Sequence, residues 1–117
     1  MKENVVKNKS FDFALRIVKL YQYLAETKKE FILSKQLLRS GTSIGANIRE
    51  SEQSQSKADF IHKLSISLKE ANETEYWIEL LYRSNYIDEN QFLSINTDVV
   101  EIMKLLTSII KTTKKTL

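Results

Sequence analysis

No proline occurs anywhere in the chain, and its two glycines stand together at positions 41 and 45, in LRSGTSIGANIRE. Proline and glycine end helices and make turns. A chain that lacks the first and confines the second to one site is therefore built of long helices with short connections, not of a turn-rich β fold. With 117 residues, 42% of them hydrophobic, it can bury one continuous core and is too short for two. Residues 1–117 are read as a single all-α domain.

Apolar periodicity divides the chain into four helical segments. The first is predicted to start at about Ser10 as N-cap and to run through FDFALRIVKLYQYLAET, with Phe13 or Ala14, Ile17, Tyr21 and Leu24 on one face. The second, from about Ile32 to Gln53, aligns Leu37, Gly41, Ile44 and Ile48. The third opens at SKAD (56–59), close to a capping box, and reaches about Ser84 with the seam Ile61, Leu64, Leu68, Ala71, Glu75, Ile78 and Tyr82. In RSNYID, Asn85 suits a left-handed helix end, and Asp88 with Gln91 has capping-box spacing. The fourth helix runs to about Thr113 on Phe92, Ile95, Val99, Ile102, Leu106 and Ile109. Beside that seam a second stripe, Leu93, Val100, Met103 and Ile110, widens the apolar face. Short turns between such helices imply an up-down-up-down four-helix bundle. The extra stripe points to a homo-oligomer or to a face packed between two neighbours in the same chain.

Two polar features stand out against this pattern. Two glycines on one side of a helix let a neighbouring backbone approach or let the helix bend, and GTSIGANIR lacks the lysine a phosphate loop requires. Glu75 occupies a seam position, where an ionised carboxylate is costly without a partner. Arg39 and Arg49 of the second helix are the candidate partners. Arg39 is preferred, in a structural ion pair that sets helix register, with Asn47 able to add a hydrogen bond.

Chemistry leaves little room for catalysis. There is no cysteine and a single histidine, His62, which follows Asp59 as D-x-x-H with no second copy. A dinuclear carboxylate bundle needs Glu-x-x-His on two helices, and a triad needs a base beside a nucleophile. No enzyme, metal or cofactor is expected. The N-terminus MKENVVKNKSFDF has no signal-peptide apolar run, and no stretch approaches a membrane span. A cytoplasmic location follows, with no membrane partner.

The stretch LLRSGTSIGANIRESEQSQSKADFIHKLSISLKEANETEYWIELL (37–81) resembles a known family most specifically in RSGTSIGANI, KADFIHKLSISLKEA and ETEYWIELL. It is similar to the four-helix-bundle proteins named after reading frames in intervening sequences of 23S ribosomal RNA genes. The resemblance extends by segment order over essentially the whole chain. It implies assembly into a pentameric, ring-shaped homo-oligomer, and a bend in the second helix at Gly45, where many relatives have proline. It also implies likeness in fold to the accessory variability protein of diversity-generating retroelements, which works with a reverse transcriptase and binds nucleic acid. No enzymatic activity comes with it.

Charge distribution agrees with an anionic partner. After Glu101 there is no acid, while Lys104, Lys111, Lys114 and Lys115 follow, and the first 29 residues are also rich in lysine. Arg16, Lys19, Lys28, Lys29, Lys111, Lys114 and Lys115 are the candidate contacts for DNA or RNA, weak and without sequence preference, since no stacking or groove-reading motif accompanies them. The alternative is a protein-protein scaffold that binds no nucleic acid, with a partner such as a reverse transcriptase.

Overall fold

The computed structural model describes residues 1–116. Four helices, α1 (Lys2–Glu26), α2 (Leu33–Ser51), α3 (Lys57–Arg83) and α4 (Glu89–Lys114), form a bundle measuring 47 × 22 × 19 Å, and no strand occurs among the described residues. Each helix packs against its neighbours in sequence, and α1 closes the square on α4. The order is up-down-up-down, as the periodicity predicts.

Local chemistry sets the helix ends. Ser56 Oγ accepts the Asp59 amide, and the Asp59 carboxylate reaches back to the amide of Gln55. Asn85 takes φ 67° and Tyr86 N–H returns to the Leu81 carbonyl at 2.9 Å, a left-handed helix end with Schellman-type closure. Asp88 and Gln91 exchange both bonds of a capping box. The start of α1 differs from the expectation: Ser10 is no cap but a buried residue inside the helix, its hydroxyl donating to the Lys7 carbonyl. Val6, Ser10, Phe13 and Ile17 continue one buried row toward the N-terminus, and burial of that row outweighs the capping preference of a serine.

The start of α2 has an unforeseen cap. Glu30, 7% exposed, accepts the amides of Ile32, Leu33 and Ser34 at 2.7–2.8 Å, while Ser34 Oγ donates to the Glu30 carbonyl. Burial alone would raise the carboxyl, but the three amides outweigh it and hold Glu30 below its ordinary range.

Both glycines face α1. A Cβ on Gly41 would stand 2.8 Å from Ile17 Cγ1 and 2.9 Å from Cγ2, and one on Gly45 would stand 3.3 Å from both Ser10 O and Ser10 Oγ. Close approach is thus their role, and α2 is one uninterrupted helix through both positions. On α3 the fully buried row is Leu64, Ser67, Ala71, Thr74, Ile78 and Leu81, so the core line runs beside the predicted seam and leaves Ile61, Leu68, Glu75 and Tyr82 half-buried. Small hydroxyl residues hold α3 to α2: Ser67 Oγ donates to the Ile44 carbonyl and Thr74 Oγ1 to Ser40 Oγ. On α4, Ile110 is buried and Val100 and Met103 pack against the core, leaving Leu93 exposed. Part of the second stripe is therefore consumed within the chain.

Candidate nucleic-acid interface

Antiparallel packing of α1 and α4 divides the candidate basic residues between the two ends of the bundle. Lys111, Lys114 and Lys115 lie exposed at the C-terminal end of α4, and Lys28 and Lys29 lie exposed beyond the end of α1. The cross-links between Lys2 and Ser108, Lys9 and Glu101, and Arg16 and Asp98 fix that antiparallel register. In a molecule 47 Å long, the seven residues cannot form one patch.

The α4 end is the richer of the two. Lys2 comes there from the start of α1, and Lys57 from the start of α3, with its Nζ donating to Thr116 O and Oγ1 at 2.9 Å. Among the described residues none of Lys2, Lys57, Lys104, Lys111, Lys114 and Lys115 is in a salt bridge. Cations held on helix ends without carboxylate partners remain available to an anion. The sequence signal for this cluster was the missing acid after Glu101; that Lys2 and Lys57 join it depends on topology.

Arg16 is a different case, because its guanidinium is already committed. It binds Asp98 and donates to Ser94 O and Ser94 Oγ at 3.3 and 2.8 Å, tying α1 to α4. Lys19 is exposed beside it, at a groove between the two helices that includes Leu20 and Tyr23.

The expected pair of Arg39 with Glu75 does not form. Arg39 instead binds Glu70 at 3.2 Å and Glu73, which also accepts Trp77 Nε1 at 3.0 Å. The Trp77 indole first, and then Arg39, hold Glu73 below the ordinary carboxylate range. Glu75 lies roughly 140° around the helix from Glu70, on the flank of α3 that carries Tyr82, which stacks on Phe92 of α4. It is half-buried and, among the described residues, makes no salt bridge. Asn47 donates to the Ser43 carbonyl within α2. Glu75→Ala should leave stability within about 0.5 kcal/mol of wild type, and Arg39→Ala should cost no more than about 1 kcal/mol as an exposed pair. Thermal unfolding checks both, and a loss above roughly 3 kcal/mol for Glu75→Ala would reinstate a buried pair.

Asp59 is engaged by the Gln55 amide and lies 4.0 Å from Lys63, and His62 is exposed. Among the described residues no three His, Cys, Asp or Glu side chains converge as metal ligands, and no helix is long and apolar enough to cross a membrane.

No curated protein matches the chain. A crystal structure from Bacteroides thetaiotaomicron VPI-5482, described as a protein with unknown function from the S23 ribosomal protein family, is similar at 68% sequence identity and a TM-score of 0.94. The match covers 95% of this chain and 99% of that one. The family model for the 23S rRNA-intervening sequence protein matches residues 2–108. With three helices and most of the fourth inside that match, and the same bundle in a solved relative, the chain belongs to the 23S rRNA-intervening sequence protein family.

Proposed function

We propose that the protein is a non-enzymatic accessory factor that assembles into a ring-shaped homo-oligomer and contacts DNA or RNA weakly, without sequence preference, through basic helix ends. The observation that carries this reading is the set of exposed lysines at the α4 end, Lys111, Lys114 and Lys115 with Lys2 and Lys57, none in a salt bridge among the described residues. Lysines on flexible stems neutralise phosphates as point charges and read no bases. Repetition of the cluster around a ring would supply the affinity that one copy lacks.

Counterion release makes the reading measurable. Three phosphate contacts on a duplex lower affinity roughly forty-fold between about 50 and 200 mM salt, whatever the sequence. Fluorescence anisotropy with labelled duplexes and single strands of equal length should show that slope. Joint replacement of Lys111, Lys114 and Lys115 by Gln should weaken binding and flatten the slope together. The same exchange at Lys28 and Lys29 should have the smaller effect. Absence of binding at the lowest salt would overturn the proposal in favour of a protein-protein scaffold.

A further inference from the structure

Two apolar surfaces lie on opposite sides of the square of helices. On α1, Phe11, Leu15 and Val18 follow one another at helical spacing and are 49%, 51% and 37% exposed. Phe11 borders a groove of about 550 Å³ between α1 and α2, floored by the small residues Ala14, Gly45 and Ala46. Arg49 lies over the Phe11 ring at 5.4 Å. On the opposite side, Leu93 of α4 is 52% exposed, with Val100 seven residues on and half-buried. This row lies on the flank turned to α3, next to Phe92, whose ring stacks on Tyr82.

Charge divides along the same line. Residues 1–53, which contain α1 and α2, hold ten lysines and arginines against six carboxylates. Residues 54–117, which contain α3 and α4, hold eight against nine; three of the eight, Lys111, Lys114 and Lys115, lie at the far end of α4 from Leu93, and the stretch 54–110 that carries Leu93 and Val100 holds five against nine. One face is therefore apolar in a basic half of the molecule, and the other apolar in an acidic stretch. Two basic faces would repel each other, as would two acidic ones. The favourable contact joins unlike faces of two copies.

We infer that the α1–α2 face of one copy is covered by the α3–α4 face of a second copy, a head-to-tail contact made by Phe11, Leu15 and Val18 against Leu93 and Val100. Each copy keeps one face of each kind free after its first contact, so the contact repeats. It closes into a ring when the rotation per copy allows. This inference rests on the homo-oligomer reading above and adds which surfaces meet. Glu75 has a place in it, because its half-buried carboxylate lies on the acidic face and the cations of the basic face would come toward it.

The test uses the full chain and two variants altered only at exposed positions, Phe11→Lys/Leu15→Lys on the first face and Leu93→Lys on the second. Circular dichroism should report wild-type helicity for both. Light scattering at micromolar concentration should give an oligomer for wild type and a monomer for each variant. An equimolar mixture of the two variants should give a 1:1 dimer, because one intact face of each kind remains and the two altered faces repel. A monomeric wild type overturns the homo-oligomer reading and this one with it. An oligomeric wild type whose variants stay fully assembled overturns the assignment of faces alone. A Leu93→Lys protein that dimerises by itself shows a symmetric α1 contact and overturns the head-to-tail arrangement.

Discussion

Gly41→Val should lower the stability of the bundle by about 3 kcal/mol, a fall in melting temperature of roughly 12 °C for a domain of this size. The β-branched side chain would enter the space that Ile17 Cγ1 and Cγ2 already fill within 3 Å of a Cβ. Ile17 is fully buried, and its branched χ1 cannot swing clear. Gly41→Ala makes the same contact with one carbon, and its gain in helix propensity, near 1 kcal/mol, offsets part of the clash. A loss of roughly 1–2 kcal/mol remains. Gly45→Ala should be close to neutral, since 3.3 Å from Ser10 is tight contact without overlap. Ile17→Ala removes the atoms that a Cβ on Gly41 strikes, so the Gly41→Ala/Ile17→Ala pair should cost less than the sum of its single changes. Thermal unfolding of this set measures the outcome, and equal stability of Gly41→Val and wild type would refute the close-approach role.

Glu30→Ala should cost about 2 kcal/mol, because three amides at the start of α2 lose a shared carboxylate in a buried site. Glu30→Gln keeps one acceptor oxygen and should fall between the two. The effect depends on pH with a definite sign. Folding lowers the Glu30 pKa from an ordinary value of 4.5, so its stabilisation is complete above that value and is lost as pH falls through the depressed one. The difference in melting temperature between wild type and Glu30→Gln should therefore be constant near neutrality and shrink in acid. A difference that grew as the pH fell would contradict the geometry of this cap.

Two caps and one left-handed turn were legible in the sequence because each is a local event. Ser56 with Asp59, Asn85, and Asp88 with Gln91 bind backbone groups within a few residues of themselves. Glu30 uses equally local bonds, and its signal was a glutamate four residues before Ser34 with no better cap for α2 between them. The exposed α1 row was also present in the spacing of Phe11, Leu15 and Val18. That row stayed hidden because an apolar residue at helical spacing reads equally well as core.

Helix number, order and the approximate extent of α2, α3 and α4 were thus determined by the sequence alone, through period, caps and the absence of proline, whereas α1 begins eight residues before the Ser10 start that the sequence suggests. The tertiary structure decided how each helix is turned about its axis. Thr74 rather than Glu75 faces the core because small hydroxyl side chains let α3 approach α2 and bond there. That rotation gives Glu70 and Glu73 to Arg39 and turns Glu75 to the other flank. The antiparallel register of α1 and α4 likewise separates Lys28 and Lys29 from Lys111, Lys114 and Lys115, and brings Lys2 and Lys57 to the α4 end. Rotation and register depend on what the other helices present, and a helical period measured along one segment contains no information about its neighbours.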